Sequence, residues 1–377
     1  MIFLLLLLLP SQLGFHFWPD WALVNGIRVD YLSPTLYFTD LIIAVIWAFN
    51  HFKIKVPLIA IVLIVLNIFF SLSPLTSIFK WLRILEYYWL FTYLRAQGAG
   101  RRAQGLKFSI VWTCFLAWLQ FIKQGSAGGL WYFLGERSFN IFTPNIAKVF
   151  FGDLILRPYA TFSHPNVLGG WLVVVGVFTG GWPMAIALTA TIFTFSRTAI
   201  FAAIAAVIFI KRNYSLLPLL LLPILIPGSP DSWIGRTELF KSSINIIRNY
   251  PLFGTGLGNF VRLTQDYGFQ PVHNIPLLAL AELGFPLFGY LIILSFNHLL
   301  KITRLHSTDA ESICGQENYK LKIMLAVIFI TAMSDHYWWT NPQMQLLFSL
   351  FAAIAVKYPH DKLSDLYRRR SAGKPGS

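Results

Sequence analysis

The stretch "RAQGAGRRAQGLK", from Arg95 to Lys107, sits between two apolar runs, 78–94 and 108–123. A dense basic link between such runs reads as a cytoplasmic turn joining two membrane-crossing helices, because short inside loops carry the excess of Lys and Arg. The pattern recurs. Basic groups stand at His51 to Lys55, at Lys211-Arg212, over 301–322 and in the tail with Arg368-Arg369-Arg370. If all five groups face inward, the runs between them pair up as outgoing and returning spans.

Composition points the same way. The chain is 56% hydrophobic and 12% charged, with a mean hydropathy of +0.61, where soluble domains average about 25% charged. Backbone polarity inside lipid has to be satisfied within the chain. The expected fold class is therefore all-α, a polytopic membrane helix bundle with a large helical extracytoplasmic loop. About twelve transmembrane helices are expected, over 2–17, 36–49, 56–72, 78–94, 108–123, 166–179, 184–195, 198–210, 214–226, 275–299, 321–337 and 344–356. The start "MIFLLLLLLP" has no basic n-region and no small-residue cleavage site, so it reads as an uncleaved first span.

This gives one integral membrane domain over 1–377 with both termini inside. Segments 124–165 and 227–274 lie outside, and 357–377 is a basic cytoplasmic tail. The net charge of +14 collects in the inner links, which argues for orientation in a membrane and against a nucleic-acid partner. Cys114 lies in an apolar run and Cys314 in a polar loop, with no metal-type spacing around either.

That topology, set by the inner basic groups alone, gathers Arg157, His164, Arg197, Arg236 and His273 on the outer side. The positive-inside rule depletes arginine there, so each calls for a partner. Each also has a structural reading. Asn166 after Pro165 starts a helix, and Arg197 snorkels from a helix end. Arg236 is a solvated surface residue, and His273 an interfacial one. Their convergence on one face favours function, since independent structural roles would scatter. Arginine matches phosphate oxygens with a planar fork of donors, and histidine takes a proton near neutral pH. Together they suit displacement of a lipid-linked pyrophosphate from a sugar anomeric carbon by an activated hydroxyl. The sequence signals no cofactor and no metal: it has no outer Asp-x-Asp, no HExxH and no P-loop. "GTGLG" at Gly254 to Gly258 lacks the spacing of a dinucleotide loop.

Four stretches occur in an order that resembles the O-antigen ligase and polymerase superfamily. They are "RPYATFSHPNVLGGWL" from Arg157, "FTFSRTAI" from Phe193, "PLFGTGLGNF" from Pro251 and "HNIPLLALAELGFPLFGYL" from His273. The resemblance covers roughly 130–290. It implies a membrane-embedded glycosyltransferase of the C type, in the bacterial cytoplasmic membrane with its active site facing outside. Such an enzyme moves a glycan from an undecaprenyl-diphosphate-linked donor to a lipid, glycan or protein acceptor, with inversion and without a metal. The histidine of "HN" is the base in that family, so the resemblance assigns His273. It places Arg197 and Arg236 on the donor pyrophosphate, with Arg248 and Arg262 as rivals to Arg236. The topology adds Arg157 to the pyrophosphate-binding set and puts His164 beside it, as support, on the wall of the same cavity. Asn166, Asn274 and Glu282 are supporting candidates, Glu282 through a buried hydrogen bond that orients its helix. Asp335 and His336 in "SDHYWW" are further support.

In ligases of the family a small or hydroxyl residue often follows three positions after the glycine that Gly284 matches. Leu287 stands there instead, so a polymerase or a protein O-oligosaccharyltransferase stays open beside the ligase. From another class, a flippase for lipid-linked sugars needs polar residues at mid-membrane depth. Arg83 and Glu86 in "WLRILEYYWL" are such a pair, one turn apart and expected to satisfy each other.

Overall fold

The computed structural model describes residues 1–50, 53–97, 103–227, 230–304 and 313–353. His51, Arg101-Arg102 and the 357–377 tail lie outside them. The chain is mostly helical. The helices are α1 Ile2–Leu7, α2 Phe38–Phe49, α3 Leu58–Phe69, α4 Pro74–Gln97, α5 Ala103–Lys123, α6 Pro165–Thr179 and α7 Gly181–Phe193. They continue with α8 Arg197–Lys211, α9 Pro230–Asn249, α10 Ile275–Arg304, α11 Ile313–Ser334, α12 Tyr337–Thr340 and α13 over 342–353.

Among the described residues, three short antiparallel ribbons depart from the all-α expectation. β1 Gly14–His16 pairs with β4 Thr35–Tyr37, β2 Leu23–Val24 with β3 Ile27–Arg28, and β5 Lys148–Phe151 with β6 Asp153–Leu156. All lie between helices, where ladder bonds satisfy backbone that no helix does.

Helix α3 is inside out. Leu58, Ile59, Val62, Val65 and Phe69 are exposed, and its buried residue is Asn67. A soluble helix does the reverse. The Asn67 amide is fully engaged: Nδ2 donates to the carbonyls of Phe253 (2.7 Å) and Glu282 (2.9 Å), and Oδ1 accepts from Trp81 Nε1 (3.0 Å) and Leu257 N (3.3 Å). An apolar exterior over a satisfied polar contact is what a hydrocarbon solvent favours. Among the described residues, two helical segments are long and apolar enough to cross a membrane, Gln104–Lys123 and Ile275–Asn297. Phe38–Phe49, Leu58–Phe69, Pro165–Thr179, Gly181–Phe193 and Tyr214–Leu225 are apolar but shorter. Twelve spans remain an expectation.

Three expected spans take another form. Over 2–17, helix stops at Leu7, and the chain turns before Pro10 and enters β1. Tyr214–Leu225 is a 3₁₀ helix with Pro218 and Pro223 inside it, residues that cannot donate to an α-helical ladder. The 275–299 run is broken at Gly284 (φ 72°, ψ 169°), a conformation that only glycine adopts without strain.

The break at Gly284 explains "PLFGTGLGNF". It frees the carbonyls of Ala281 and Glu282, and the loop fills them: Thr255 N donates to Ala281 O (2.9 Å) and Gly256 N to Glu282 O (3.0 Å). On the far side Phe285 N donates to Pro251 O (2.8 Å). A Cβ on Gly254 would strike the Glu282 backbone. Gly254 is there for contact between backbones, while Gly256 and Gly258 make room for the side chains of Ser71 and Lys80.

The main core joins α1, α2, α4 to α8, α11 and α13. At its centre α6 is buried from Val167 to Val177. A side chain at Gly170 would collide with the Tyr337 hydroxyl, and one at Gly169 would press on Ala199 Cβ at 2.8 Å. The paired glycines of "HPNVLGGWL" thus let α8 and α12 close on α6, which brings their ends to the same place.

Candidate functional site

Five helix ends meet there: α6, α8 and α10 begin, and α7 and α11 finish. Side chains of the linkers tie them together. Arg157 Nε donates to Thr194 O (2.7 Å), just past α7, and Arg157 Nη2 donates to Asn166 Oδ1 (2.7 Å). Asn166 Nδ2 donates in turn to Asp335 Oδ2 (3.1 Å), just past α11. Asn274 Nδ2 donates to Met333 O (3.1 Å), and its Oδ1 caps α10 by accepting from Leu277 N (3.0 Å). Three helix N-termini therefore aim the positive ends of their dipoles at one region, which favours an anion.

His164 is the N-cap of α6. Its Nδ1 accepts from the Asn166 backbone N–H (3.1 Å), so the neutral ring carries its proton on Nε2. The helix-start reading of "SHPN" holds for His164 and Pro165, while Asn166 links Arg157 to Asp335. Two of the three Arg157 nitrogens are occupied inside the protein, which makes it a brace as much as a wall.

Arg197 is the first residue of α8, its guanidinium 5.8 Å from the centre of the Trp233 ring. Arg236 lies on α9, in the outer loop. Among the described residues neither has a carboxylate within 4.0 Å. Both charges act on Arg157, and that of Arg236 also reaches His273 and His336. Its rivals sit elsewhere. Arg248 is exposed, and Arg262 is held by Asn259 Oδ1 (2.9 Å), Thr76 Oγ1 (3.1 Å) and the Trp21 carbonyl.

His273 stands at the mouth of α10, beside this group. Its Nδ1 is buried with no hydrogen-bond partner among the described residues. The His336 ring meets it edge to face, 5.2 Å between centres. His336 Nε2 lies 3.8 Å from Asp335 Oδ1, and its Nδ1 pairs with Thr340 Oγ1 at 2.8 Å. The ligating atoms of His273, Asp335 and His336 all fall within 4.8 Å of one another, a spacing that a divalent cation can bridge. From the sequence the 335–336 pair was only peripheral support. The fold sets it against His273, and "SDHYWW" at a span end was the one signal.

Glu282 is buried and accepts from Trp339 Nε1 (2.8 Å) and Phe260 N (3.3 Å). It locks α10 to the loop. Arg83 departs from expectation. Its fork grips Asp40 through two bonds (3.1 and 3.0 Å) in place of Glu86, because the chain entering α2 lies against α4.

Burial holds His164 and His273 below the usual imidazole value of 6.5. His164 falls to about 3, with Arg157 adding to the effect, and His273 is lowered with Asp335 opposing and Arg236 adding. Each binds fewer protons folded than unfolded between its own value and 6.5, so stability falls as pH drops through that window. Thermal melts of the purified protein should shift downward from pH 7.5 to pH 4.5, and a His164→Gln variant should shift less.

A protein-family model described as O-antigen ligase matches residues 219–292. The match takes in both "PLFGTGLGNF" and the "HN" stretch, two of the four motifs read from the sequence. A comparison with curated proteins finds no match.

Proposed function

Because the chain belongs to the O-antigen ligase superfamily, we propose that it moves a glycan from an undecaprenyl-diphosphate-linked donor to an acceptor hydroxyl. A membrane location and a ligase- or polymerase-type activity follow from the family. The proposal adds donor, orientation and mechanism, with the reaction on the outer face of the cytoplasmic membrane. The observation that carries it is the buried Nδ1 of His273, uncommitted among the described residues, beside arginines that have no carboxylate partner among them.

In this reading His273 takes the proton of the acceptor hydroxyl as its oxygen attacks the anomeric carbon. The bond from that carbon to the diphosphate oxygen breaks, the electron pair leaves with the diphosphate, and the anomeric configuration inverts. Burial keeps His273 neutral and ready to accept. Asp335 favours the imidazolium as it forms. Arg197, Arg236 and the three helix N-termini stabilise charge on the leaving group, so no step requires a metal.

Arg197→Lys tests the donor contact. A point charge keeps the cation over Trp233 but cannot present two parallel donors to a phosphate. Transfer by membranes carrying this variant should fall about tenfold or more, with protein level unchanged. Wild-type transfer would remove Arg197 from the site.

A further inference from the structure

His336 stands between α11 and α12 with one ring nitrogen already engaged. The Thr340 hydroxyl donates to the His336 carbonyl oxygen (3.3 Å), so its oxygen accepts from Nδ1–H (2.8 Å) and the neutral ring keeps its proton there. Nε2 is left with a lone pair, 3.8 Å from Asp335 Oδ1. An acceptor therefore faces an acceptor. His273 completes the group: the ligating atoms of all three residues lie within 4.8 Å of one another, and His273 Nδ1 has no hydrogen-bond partner among the described residues.

The surroundings orient these side chains as the outer shell of a metal site does. Asn166 Nδ2 donates to Asp335 Oδ2 (3.1 Å) and the His336 backbone N–H to Oδ1 (2.8 Å), which fixes the carboxylate and leaves each oxygen a further lone pair. Thr340 fixes the His336 tautomer. Bonds of about 2.0–2.2 Å in a tetrahedral shell put ligand atoms about 3.4 Å apart, so the widest pair draws in from at most 4.8 Å. Both histidines are partly exposed, which leaves a way in. Charge from Arg236 reaches His273 and opposes a cation. Coordination by imidazole has to carry the binding, and that selects zinc-like dications over Mg²⁺ and Ca²⁺, whose ligands are oxygens.

We infer that His273, Asp335 and His336 form an inhibitory site for a zinc-type divalent cation. A neutral imidazole has one lone pair. Once His273 gives it to a metal, whichever nitrogen bonds, the ring cannot accept a proton from a hydroxyl. Occupancy switches the base off and release restores it, with no covalent bond of the chain made or broken. The site stands apart from the transferase reading, while its inhibitory effect rests on that reading.

Binding is measured without substrate, so either claim can fail alone. Calorimetric titration of the full chain in detergent with Zn²⁺ should show saturable binding. His336→Ala should weaken it at least about tenfold, and Thr340→Val, which frees the ligand ring, by about tenfold. Cys114→Ser, which removes the buried free thiol, and excess Mg²⁺ should leave it unchanged. Transfer by the wild-type protein should fall about 10²–10⁴-fold at saturating Zn²⁺, as much as a general base contributes, and return with EDTA. No saturable binding, undiminished binding by His336→Ala, or displacement by Mg²⁺ would overturn the site. Zn²⁺ bound there with transfer intact would overturn the inhibition. Zn²⁺ binding by a protein that transfers nothing when metal-free would support the site and strike the transferase reading alone.

Discussion

His273→Ala should lower glycan transfer by about 10²–10⁴-fold, the contribution typical of a positioned general base. The protein should still insert and melt normally. Its Nδ1 makes no hydrogen bond among the described residues, so removing the ring breaks no hydrogen bond through that atom and forfeits only the edge-to-face contact with His336. Asn274, which does cap α10 and hold Met333, is left in place. His164→Ala makes the contrast: its ring caps α6, so the loss falls first on stability, by about 1 kcal/mol. Near-full transfer by His273→Ala would end its assignment as the base.

Gly284→Ala should have the largest effect on the fold. The residue sits at φ 72°, ψ 169°, and an added Cβ would strike the Leu252 carbonyl oxygen and crowd Gly254 N at 2.7 Å. Neither neighbour can yield, since Pro251, Thr255 and Gly256 are bonded to α10 on both sides of the break. Backbone strain and overpacking together cost about 3 kcal/mol or more. The purified variant should melt several degrees lower and accumulate poorly. Gly289→Ala is the control: nothing lies within 4 Å of a Cβ there, so it should match wild type. Equal melting of the two variants would refute the brace between loop and broken helix.

Local pattern made much of this legible. Apolar runs between basic links gave the helices, because the solvent acts on each segment separately. "SHPN" marked a helix start, because capping is a contact between near neighbours. The sequence reading fell short wherever contacts cross long separations. Asn166 meets Asp335 across 169 positions and Asn67 meets Glu282 across 215, and no periodicity encodes either. Arg83 looked paired with Glu86 by helical spacing, yet a remote carboxylate offered two aligned acceptors. Gly284 reads as one more small residue in an apolar run until the loop that fills its freed carbonyls is seen.

The most direct test is reconstitution of the purified chain in proteoliposomes with an undecaprenyl-diphosphate-linked glycan and an acceptor. The account predicts a new glycosidic bond of inverted anomeric configuration and release of undecaprenyl diphosphate, undiminished by chelator and lost in His273→Ala. Donor crossing the bilayer with no new bond, or retained configuration in the product, would contradict it.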